Sequence, residues 1–382
     1  MKIAFDAKRA THNSTGLGNY SRYIIRILTK YYPQHTYLLY TPEKGKKRLL
    51  EPYTGNQNVV IKYPKSFLGR MMKKLWRFVG ILSDLKKDKP GIYHGLTNEL
   101  PKGINRQGIP SVVTIHDLIF LRYPQFYKTI DCKIYYYKFK NACINADRII
   151  AISEMTKKDI ISFFNISENK IDVIYQGCDP AFASEVAADI KNTVKTKYNL
   201  PEKYILYVGS IEERKNLLLI IRALQKTKNK IHLIAIGRRT AYAKTVEKFI
   251  FENNMTNQVT ILEGIDFQEL PAFYQMASLF IYPSFFEGFG IPIIEALYSG
   301  VPVISATGSC LEEAGGPSSI YVNPTDINEL SHQIDFVLSN PLVACKMIND
   351  GKEYVNKFND ETIAKQLMNI YTDVLKMKRE DG

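Results

Sequence analysis

The most informative stretch of this 382-residue sequence runs from Ile281 to Ala306 and reads IYPSFFEGFGIPIIEALYSGVPVISA. Its two apolar ends predict β-strands. Between them, a glycine-rich loop leads into a helical pattern with Pro292 in the first turn, where proline is tolerated. Free backbone N–H groups and the positive end of the helix dipole meet at such a helix N-terminus. The stretch therefore predicts a site for an anion such as phosphate.

Two glutamates accompany the predicted loop. Glu287 lies in the loop, and Glu295 lies about one turn inside the helix. Two hydrogen-bond acceptors beside a phosphate pocket suit the vicinal hydroxyls of a sugar, which are donors. The spacing alone fits a plainer interpretation equally well, in which the glycines only form a turn and the glutamates are solvated.

Outward from this stretch, short apolar and β-branched runs alternate with helical patterns along the whole chain. Twelve strands are predicted, at residues 2–6, 36–41, 58–63, 111–117, 147–153, 172–177, 204–210, 231–237, 259–264, 279–284, 301–306 and 320–323. Helices are predicted between them, for example at Gly18–Lys30, Glu154–Phe164, Asn216–Lys226 and Ala241–Glu252. Several of the strands are continuously apolar, as in parallel sheets covered on both faces. The pattern predicts an α/β protein with doubly wound parallel sheets.

Length and charge both indicate two domains. Residues 1–190 contain 30 Lys and Arg against 16 Asp and Glu, a net charge of +14. Residues 191–382 contain 21 against 22, a net charge of −1. The strand–helix rhythm breaks in the polar stretch 184–203. We therefore predict one domain over residues 1–190 and another over 191–359, followed by an amphipathic helix over about 360–378. The basic first half suggests that this domain faces something anionic.

Composition excludes several classes of protein. Hydrophobic residues make up 45% and charged residues 23% of the chain, which is typical of globular proteins and not of disordered ones. No uncharged apolar run approaches the ~18 residues of a membrane-spanning helix, and the N-terminus lacks the apolar core of a signal peptide. The five cysteines are scattered and odd in number, which indicates reduced thiols in a cytosolic protein.

A second motif, YVGSIEERKNL at Tyr207–Leu217, presents Arg214 and Lys215 after a buried strand. Both would lie at the carboxyl edge of the sheet, where open α/β folds bind ligands. Arginine chelates phosphate oxygens in a bidentate manner, and lysine acts as a point charge. Alternatively, the motif is simply an exposed basic turn.

Two weaker signals lie in the first half. In TGLGNYSR (Thr15–Arg22), Gly16 and Gly18 would allow a ligand to approach the backbone before a helix, although the motif is not a full dinucleotide fingerprint. In VVTIHDLIF (Val112–Phe120), His116 follows an apolar strand, where it is either catalytic or structural. The sequence contains no P-loop, Asp-x-Asp, HExxH or Cys/His cluster. A carboxylate-held metal is therefore disfavoured, and no metal or cofactor is predicted.

Taken together, these motifs resemble the retaining glycosyltransferases of family 4, which have the GT-B fold of two Rossmann-like domains facing a cleft. The resemblance runs nearly end to end, and the Glu-x₇-Glu element from Glu287 to Glu295 is its most specific part. Its pieces keep the family's order: TGLGNYSR, GIYHGLTNELP (91–101), TIHDL (114–118), IAISEMTKKDI (150–160), VIYQGCDPAF (173–182), VGSIEERKNL (208–217) and PSFFEGFGIPIIEALYSGVPVISA (283–306).

The resemblance implies a role for each site residue. The first domain would bind the acceptor and the second the nucleotide sugar, with the last helix crossing back onto the first domain. Glu287 would contact the donor sugar and Glu295 the ribose, while Arg214 and Lys215 neutralise the diphosphate. The other implied positions are the backbone around Gly288, Phe289 and Gly290, His116 near the reacting sugar, and Gly16 and Gly18 near the phosphates. Some relatives carry Arg at the position of Ser210, so charge neutralisation here depends more on Arg214.

The implied reaction is metal-independent hexosyl transfer with retention of configuration, through front-face attack without a protein nucleophile. The motifs look most like bacterial mannosyltransferases that use GDP-mannose to build surface polysaccharides, and UDP-sugars remain open as donors. The acceptor would be a glycan or a lipid-linked sugar. Two alternatives are a GT-B nucleotide-sugar 2-epimerase and a non-catalytic nucleic-acid-binding protein. The second is disfavoured because the basic half contains no recognition motif, and no nucleic-acid partner is predicted.

The segment Lys62–Lys89 contains nine Lys and Arg against Asp84 and Asp88. At helical spacing one apolar face forms, comprising Leu68, Met71, Met72, Leu75, Val79 and Leu82, with Trp76 as an aromatic anchor and Phe67, Phe78 and Ile81 among the other apolar residues. Such a basic amphipathic helix suits an anionic membrane surface. The same face would equally suit packing against the first sheet. The predicted location is therefore cytoplasmic, with the inner face of the plasma membrane as a possible site of peripheral binding.

Overall fold

The computed structural model describes residues 1–53 and 55–380, without the side chains of Phe67, Leu68 and Lys74. The predictions for those three side chains lie outside the described residues. The chain forms two compact units. The first domain comprises Met1–Gln176 and the chain from Asn359 onward, and the second comprises Gly177–Phe358.

The first domain is built on a parallel sheet of seven strands in the order β3-β2-β1-β4-β5-β6-β7. The strands are β1 (Lys2–Asp6), β2 (Thr36–Tyr40), β3 (Val59–Lys62), β4 (Ile92–Gly95), β5 (Ser111–Ile115), β6 (Arg148–Ala151) and β7 (Ile171–Val173). Six of these were predicted from the sequence. The prediction missed β4, because its four residues, IYHG, include His and Gly and form too short a run to register as a strand.

Helices cover both faces of this sheet. They are α1 (Lys8–His12), α2 (Gly16–Tyr31), α3 (Lys47–Leu50), α4 (Phe67–Met71), α5 (Lys73–Leu75), α6 (Ile81–Asp88), α7 (Ile119–Arg122), α8 (Thr129–Asn145) and α9 (Glu154–Phe164). One core cluster joins Val113 and Ile149 of the sheet to Leu85 of α6 and Phe139 of α8. Helices α6 and α8 therefore cover the same sheet face.

The tail of the chain forms the long helix α18 (Asp360–Glu380). It was predicted as an amphipathic helix, and four apolar residues at helical spacing, Ile363, Leu367, Ile370 and Val374, are all buried. Tyr371 of this helix is 2.6 Å from Nδ1 of His94 on β4, and the Arg26 guanidinium of α2 pairs with Asp360 at 3.0 Å. These contacts attach the last helix to the first domain.

The segment 62–89 differs from the single amphipathic helix that the sequence predicts. It follows β3 as α4, α5, a π-helical turn (Trp76–Gly80) and α6. Trp76 is buried and its indole N–H donates to Asp84 at 2.8 Å, so the prediction of a surface aromatic anchor was wrong. Hydrophobic spacing identified an apolar face, but the break in the helix turns Trp76 toward the core while Met71 and Met72 remain exposed.

The second domain has a parallel sheet of six strands in the order β10-β9-β8-β11-β12-β13. The strands, all predicted from the sequence, are β8 (Tyr204–Val208), β9 (His232–Ile236), β10 (Val259–Leu262), β11 (Leu279–Tyr282), β12 (Val303–Ala306) and β13 (Ile320–Val322). The helices are α10 (Ala188–Lys197), α11 (Leu217–Lys226), α12 (Ala243–Glu252), α13 (Leu270–Met276), α14 (Ile291–Tyr298), α15 (Leu311–Gly315), α16 (Ile327–Ser339) and α17 (Pro341–Tyr354). Both domains are Rossmann-like, as the alternating pattern predicts.

The structure divides the chain after Gln176, whereas the polar stretch had suggested residue 190. Residues between these positions pack within the second domain. The Phe182 ring makes edge contacts with Phe267 and Tyr274, and the Val186 N–H donates to Gln275 at 3.0 Å. The boundary therefore depends on packing that the polarity of the stretch does not reveal.

None of the helices in the described part of the chain combines the length and apolar composition needed to cross a bilayer.

Candidate functional site

The carboxyl ends of β8 and β11 bring two predicted motifs together. These strands are hydrogen-bonded neighbours, with Leu279 beside Ile205 and Phe280 beside Leu206. The loops that follow them therefore leave the same edge of the sheet. The backbone N–H of Phe285 donates to the carbonyl of Arg214 at 2.9 Å, which joins the two loops directly.

Glu287 is held between the two predicted cations. Its carboxylate is 2.9 Å from Nη1 of Arg214 and 3.5 Å from Nζ of Lys215. The side chains of Glu287, Arg214 and Lys215 are only 14%, 14% and 15% exposed. The plainer interpretations, a solvated glutamate and an exposed basic turn, are therefore wrong for Glu287 and Lys215, because each side chain is largely buried and compensates for the charge of the other.

Two hydroxyls complete the surroundings of Glu287. The Tyr282 hydroxyl donates to Oε1 at 2.9 Å and accepts from Nζ of Lys215 at 2.8 Å. The Ser284 hydroxyl is 3.0 Å from the same oxygen. Burial alone would raise the pKa of Glu287, but the positive charges of Lys215 and Arg214 and the hydrogen bonds from Arg214 and Tyr282 lower it to about 2. Glu287 is therefore ionised at neutral pH.

Glu295 has a different environment, although it lies only eight residues further along the chain. It is on α14, and its carboxylate accepts a hydrogen bond from Tyr274 of α13 at 2.8 Å. Burial raises the pKa of Glu295 to about 7, and the negative charge of Asp179 adds to this effect. Glu295 thus exchanges a proton near neutral pH, as a carboxyl group without a cation partner does when it is buried.

The loop between these glutamates depends on Gly290. This residue has φ of +129°, and a Cβ atom there would lie 3.1 Å from Leu311 and 3.2 Å from Ala314. Only glycine adopts this conformation at low cost. The Cys310 thiol, 2.9 Å from the Glu287 carbonyl and 3.2 Å from the Phe289 carbonyl, supports the loop from behind.

The loop leads into α14, which has Pro292 in its first turn and no side-chain cap. The positive end of the helix dipole is therefore available beside the backbone of Gly288, Phe289 and Gly290. This is the local geometry predicted for an anion site.

Ser210 lies in the loop after β8, and its hydroxyl donates to Glu212 at 2.6 Å. Glu212 in turn lies 3.7 Å from Nη2 of Arg214. Arg214 also donates to the Phe286 carbonyl. Burial opposes the charge of Arg214, but Glu287 and Glu212 raise its pKa, so the guanidinium stays charged.

In the first domain, His116 follows β5 as predicted and is buried. Its Nε2 is 2.9 Å from the Leu96 carbonyl, which can only accept, so the proton is on Nε2. Its backbone N–H donates to Asn98 at 2.7 Å, and the Tyr20 ring packs edge-on at 4.5 Å between centroids. Burial lowers the pKa of His116 to about 4, so the ring is neutral at pH 7.

Gly16 and Gly18 begin α2 but differ in their surroundings. A Cβ atom at Gly18 would lie 1.9 Å from the Asn13 carbonyl oxygen, so the close approach that requires glycine there is to the chain itself. A Cβ atom at Gly16 would have none of the described residues within 4 Å, which leaves space for a ligand.

Sequence reasoning assigned no role to several groups that shape the site. Tyr282 and Ser284 lie in the stretch Ile281–Ala306, at the end of an apolar strand. Polar side chains at this position could have been predicted to line the site. Tyr274, Glu212 and Cys310 had no local signal, because their roles depend on tertiary contacts. Across residues 1–53 and 55–380, no group of three or more His, Cys, Asp or Glu side chains is placed to hold a metal ion.

Two family models match the chain. The model "Glycosyltransferase Family 4" matches residues 15–182, and "Glycosyl transferases group 1" matches residues 190–354. The second match contains Arg214, Lys215, Glu287 and Glu295, and the first contains His116 and both glycines of the Thr15–Arg22 motif.

Two curated relatives are named as mannosyltransferases. The O-antigen chain mannosyltransferase B of Escherichia coli is 27% identical over 292 residues, which cover 75% of each chain. The O-antigen chain mannosyltransferase RfbU of Salmonella typhimurium is 29% identical over 215 residues, covering 56% of this chain and 57% of the relative.

Solved structures share the fold at low sequence identity. Anabaena HepE in complex with UDP and glucose has a TM-score of 0.76 and 17% identity, over 98% of this chain and all of that one. WaaG, a glycosyltransferase involved in lipopolysaccharide biosynthesis, has a TM-score of 0.69 and 14% identity, over 97% and 99% of the two chains. With its Family 4 and group 1 domains and its GT-B fold, this chain belongs to the glycosyltransferases.

Proposed function

We propose that this enzyme transfers a hexose, with retention and without a metal ion, from a nucleotide sugar to a glycan or lipid-linked acceptor in the synthesis of a cell-surface polysaccharide. The observation that carries the proposal is the cluster of Glu287, Arg214 and Lys215 beside a glycine loop at the carboxyl edge of the second sheet. The favoured donor is GDP-mannose.

The chemistry follows from where charge develops. As the anomeric bond breaks, negative charge grows on the diphosphate and positive charge on the sugar ring. Arg214 and Lys215, with the N-terminus of α14, are preorganised to stabilise the diphosphate. These groups supply the positive charge that a metal ion provides in other transferases, which supports metal independence.

Glu287 is the counter-ion of both cations. In the proposed reaction the diphosphate replaces Glu287 as the anion that pairs with Arg214 and Lys215. The Glu287 carboxylate keeps its contacts with Tyr282 and Ser284 and accepts hydrogen bonds from the donor sugar. Glu295 would accept from the ribose hydroxyls, which its position on α14 permits. No protein nucleophile is assigned: the leaving phosphate would take the acceptor proton in a front-face attack.

The first domain would contribute His116 near the reacting sugar and Gly16 and Gly18 near the phosphates. His116 is neutral and its Nδ1 carries no proton, so it would act as a hydrogen-bond acceptor and not as a cation. Space at Gly16 supports a close ligand approach there, whereas the tight packing of Gly18 favours a structural role for that glycine.

The names of the relatives support mannose as the transferred sugar, because two of them are O-antigen chain mannosyltransferases. The structure of HepE with UDP and glucose keeps a UDP-sugar as the second candidate donor. Synthesis on a lipid-linked acceptor would occur in the cytoplasm at the inner face of the plasma membrane. Exposed Met71, Met72 and Leu75, at 68%, 51% and 49%, support peripheral binding there.

The proposal is tested by measuring the free nucleoside diphosphate released from GDP-mannose and from UDP-glucose. Each donor is incubated with and without a mannose-terminated acceptor, in the presence of EDTA. We expect acceptor-dependent release of GDP that persists in EDTA, and a product with the anomeric configuration of the donor by NMR. Loss of activity in EDTA that Mg²⁺ or Mn²⁺ restores would contradict metal independence. UDP release with a 2-epimerised sugar and no acceptor would indicate the epimerase instead.

A further inference from the structure

Helix α8 has apolar residues on two opposite faces. Its inner face places Phe139, Ala142 and Cys143 in the core of the first domain. Its outer face exposes four large apolar side chains, Ile130, Ile134, Tyr137 and Ile144, at 66%, 45%, 72% and 54%. Their spacing of four, three and seven residues aligns them in one stripe along the helix.

Such a stripe is unusual on a surface in contact with water. Single exposed apolar residues are normal, but contiguous ones mark a contact with another molecule. A helix that is apolar all round is normally buried all round. The described residues leave the outer stripe of α8 uncovered, so we infer that it is a binding surface.

The charges beside the stripe indicate the partner. Lys133 and Lys140 flank one side of it and Lys138 the other, whereas Asp131 is the only acidic residue in the helix. Residues 1–190 carry a net charge of +14. A second copy of the chain would bring like charges together, whereas an anionic and apolar partner complements both features of the surface.

The stripe is linked to the exposed segment 71–79. The Glu99 carboxylate binds Arg77 of that segment at 2.8 Å and Lys138 of α8 at 3.3 Å. Helices α6 and α8 also cover the same sheet face. The segment exposes its own apolar residues, Met71, Met72, Leu75, Phe78 and Val79, at 40–68%.

We propose that the outer stripe of α8, together with segment 71–79, binds the surface of a bilayer rich in acidic phospholipid. The apolar side chains enter the boundary between headgroups and acyl chains, and the lysines contact the lipid phosphates. The proposal rests on the proposed function only in choosing a membrane as the partner. It adds an element that the sequence pattern of residues 62–89 did not indicate.

The experiment uses the full chain and vesicles of phosphatidylcholine with or without 30% phosphatidylglycerol. The test variant is Ile130→Ser/Ile134→Ser/Tyr137→Ser. The matched control is Phe251→Ser/Leu342→Ser, since these second-domain side chains are 75% and 88% exposed. Binding is measured by flotation at 50 and 500 mM NaCl, and folding by circular dichroism. A second variant, Met71→Ser/Leu75→Ser, tests the other segment.

We expect wild type and control to bind only the anionic vesicles and to bind less at high salt. The α8 variant should keep its fold and lose at least tenfold in vesicle partitioning. Wild-type binding by a folded α8 variant would overturn the role of α8, even if the Met71/Leu75 variant failed to bind. Absence of wild-type binding at low salt, or a concentration-dependent dimer that only the α8 variant loses, would also overturn the proposal. Unchanged donor turnover on a soluble acceptor in the α8 variant separates this result from any failure of the proposed function.

Discussion

Glu287 and Glu295 are the same residue type in one motif, eight residues apart, yet their environments shift their pKa values in opposite directions. Glu287 is buried between Arg214 and Lys215, and its pKa is lowered to about 2. Glu295 is largely buried against Tyr274, none of the cations in the described residues pairs with it, and its pKa is raised to about 7. Burial acts on both. The difference shows that the nearest charges decide whether a buried carboxyl group is an anion.

The two glutamates can therefore have different roles in the site. Glu287, which is ionised at neutral pH, can act as a counter-ion that a diphosphate displaces. Among the described residues no cation pairs with Glu295, so its protonation state depends on pH and on the groups next to it. The following predictions test this difference, from the largest expected effect to the smallest.

The substitution Glu287→Gln keeps the shape of the side chain and removes its charge. We expect transfer to fall by up to about a thousandfold, roughly 4 kcal/mol in transition-state stabilisation, as for loss of a preorganised polar group. Inorganic pyrophosphate should bind more tightly, because the two cations lose their resident counter-ion. Steady-state kinetics and calorimetry measure the two effects, with Glu252→Gln on α12 as the exposed control. Turnover close to that of wild type would show that Glu287 does not take part in the reaction.

The substitution Glu295→Gln should change how stability depends on pH. A carboxyl group with a raised native pKa binds more protons when folded, so wild type loses stability as pH rises from about 4.5 to about 7. The shift corresponds to about 3 kcal/mol. The variant has no carboxyl group to titrate at this position and does not lose this stability. Its stability relative to wild type should therefore increase between about pH 4.5 and pH 7 and stay constant above pH 7.

Unfolding curves at pH 3, 4.5, 6 and 8 check this prediction. Glu287→Gln is the comparison of opposite sign, because Glu287 stabilises the fold above about pH 4.5 and loses that contribution as pH falls toward 2. Parallel pH profiles for wild type and the Glu295 variant would show that Glu295 does not titrate with a raised pKa.

The substitution Lys215→Met removes one of the two cations at nearly constant volume. We expect the affinity for GDP to fall about thirtyfold, or about 2 kcal/mol, as for a lost hydrogen bond to a charged group. Calorimetric titration with GDP measures the change, and Lys248→Met, at an exposed position, serves as the control. Unchanged affinity would place the diphosphate elsewhere.

The substitution Tyr274→Phe removes the hydrogen bond to Glu295 and nothing else from the side chain. The pKa of Glu295 should rise further, because that bond lowers it at present. We expect a loss of about 1 kcal/mol in stability, greater at pH 8 than at pH 5. Thermal unfolding measures this, with exposed Tyr137→Phe as the control. Equal losses at both pH values would show that the bond does not favour the ionised carboxyl.

The fold was largely predictable because parallel strands buried on both faces are continuously apolar. Every predicted strand is present, with ends that differ by no more than four residues, and β4 was missed because its sequence is short and mixed. The segment 62–89 shows the limit. Its apolar spacing was visible, but the break at Met72 and the burial of Trp76 depend on the sheet beneath.

The sequence by itself determined the order of strands and helices, the glycine loop at Glu287–Gly290 and the family. All of these depend on residue type and local spacing. Only the tertiary structure decided that Glu287 pairs with two cations more than 70 residues earlier, that Tyr274 partners Glu295, and that the outer face of α8 is exposed. Coulomb energy and desolvation depend on distances between atoms and on burial, and neither quantity exists until the strands are aligned.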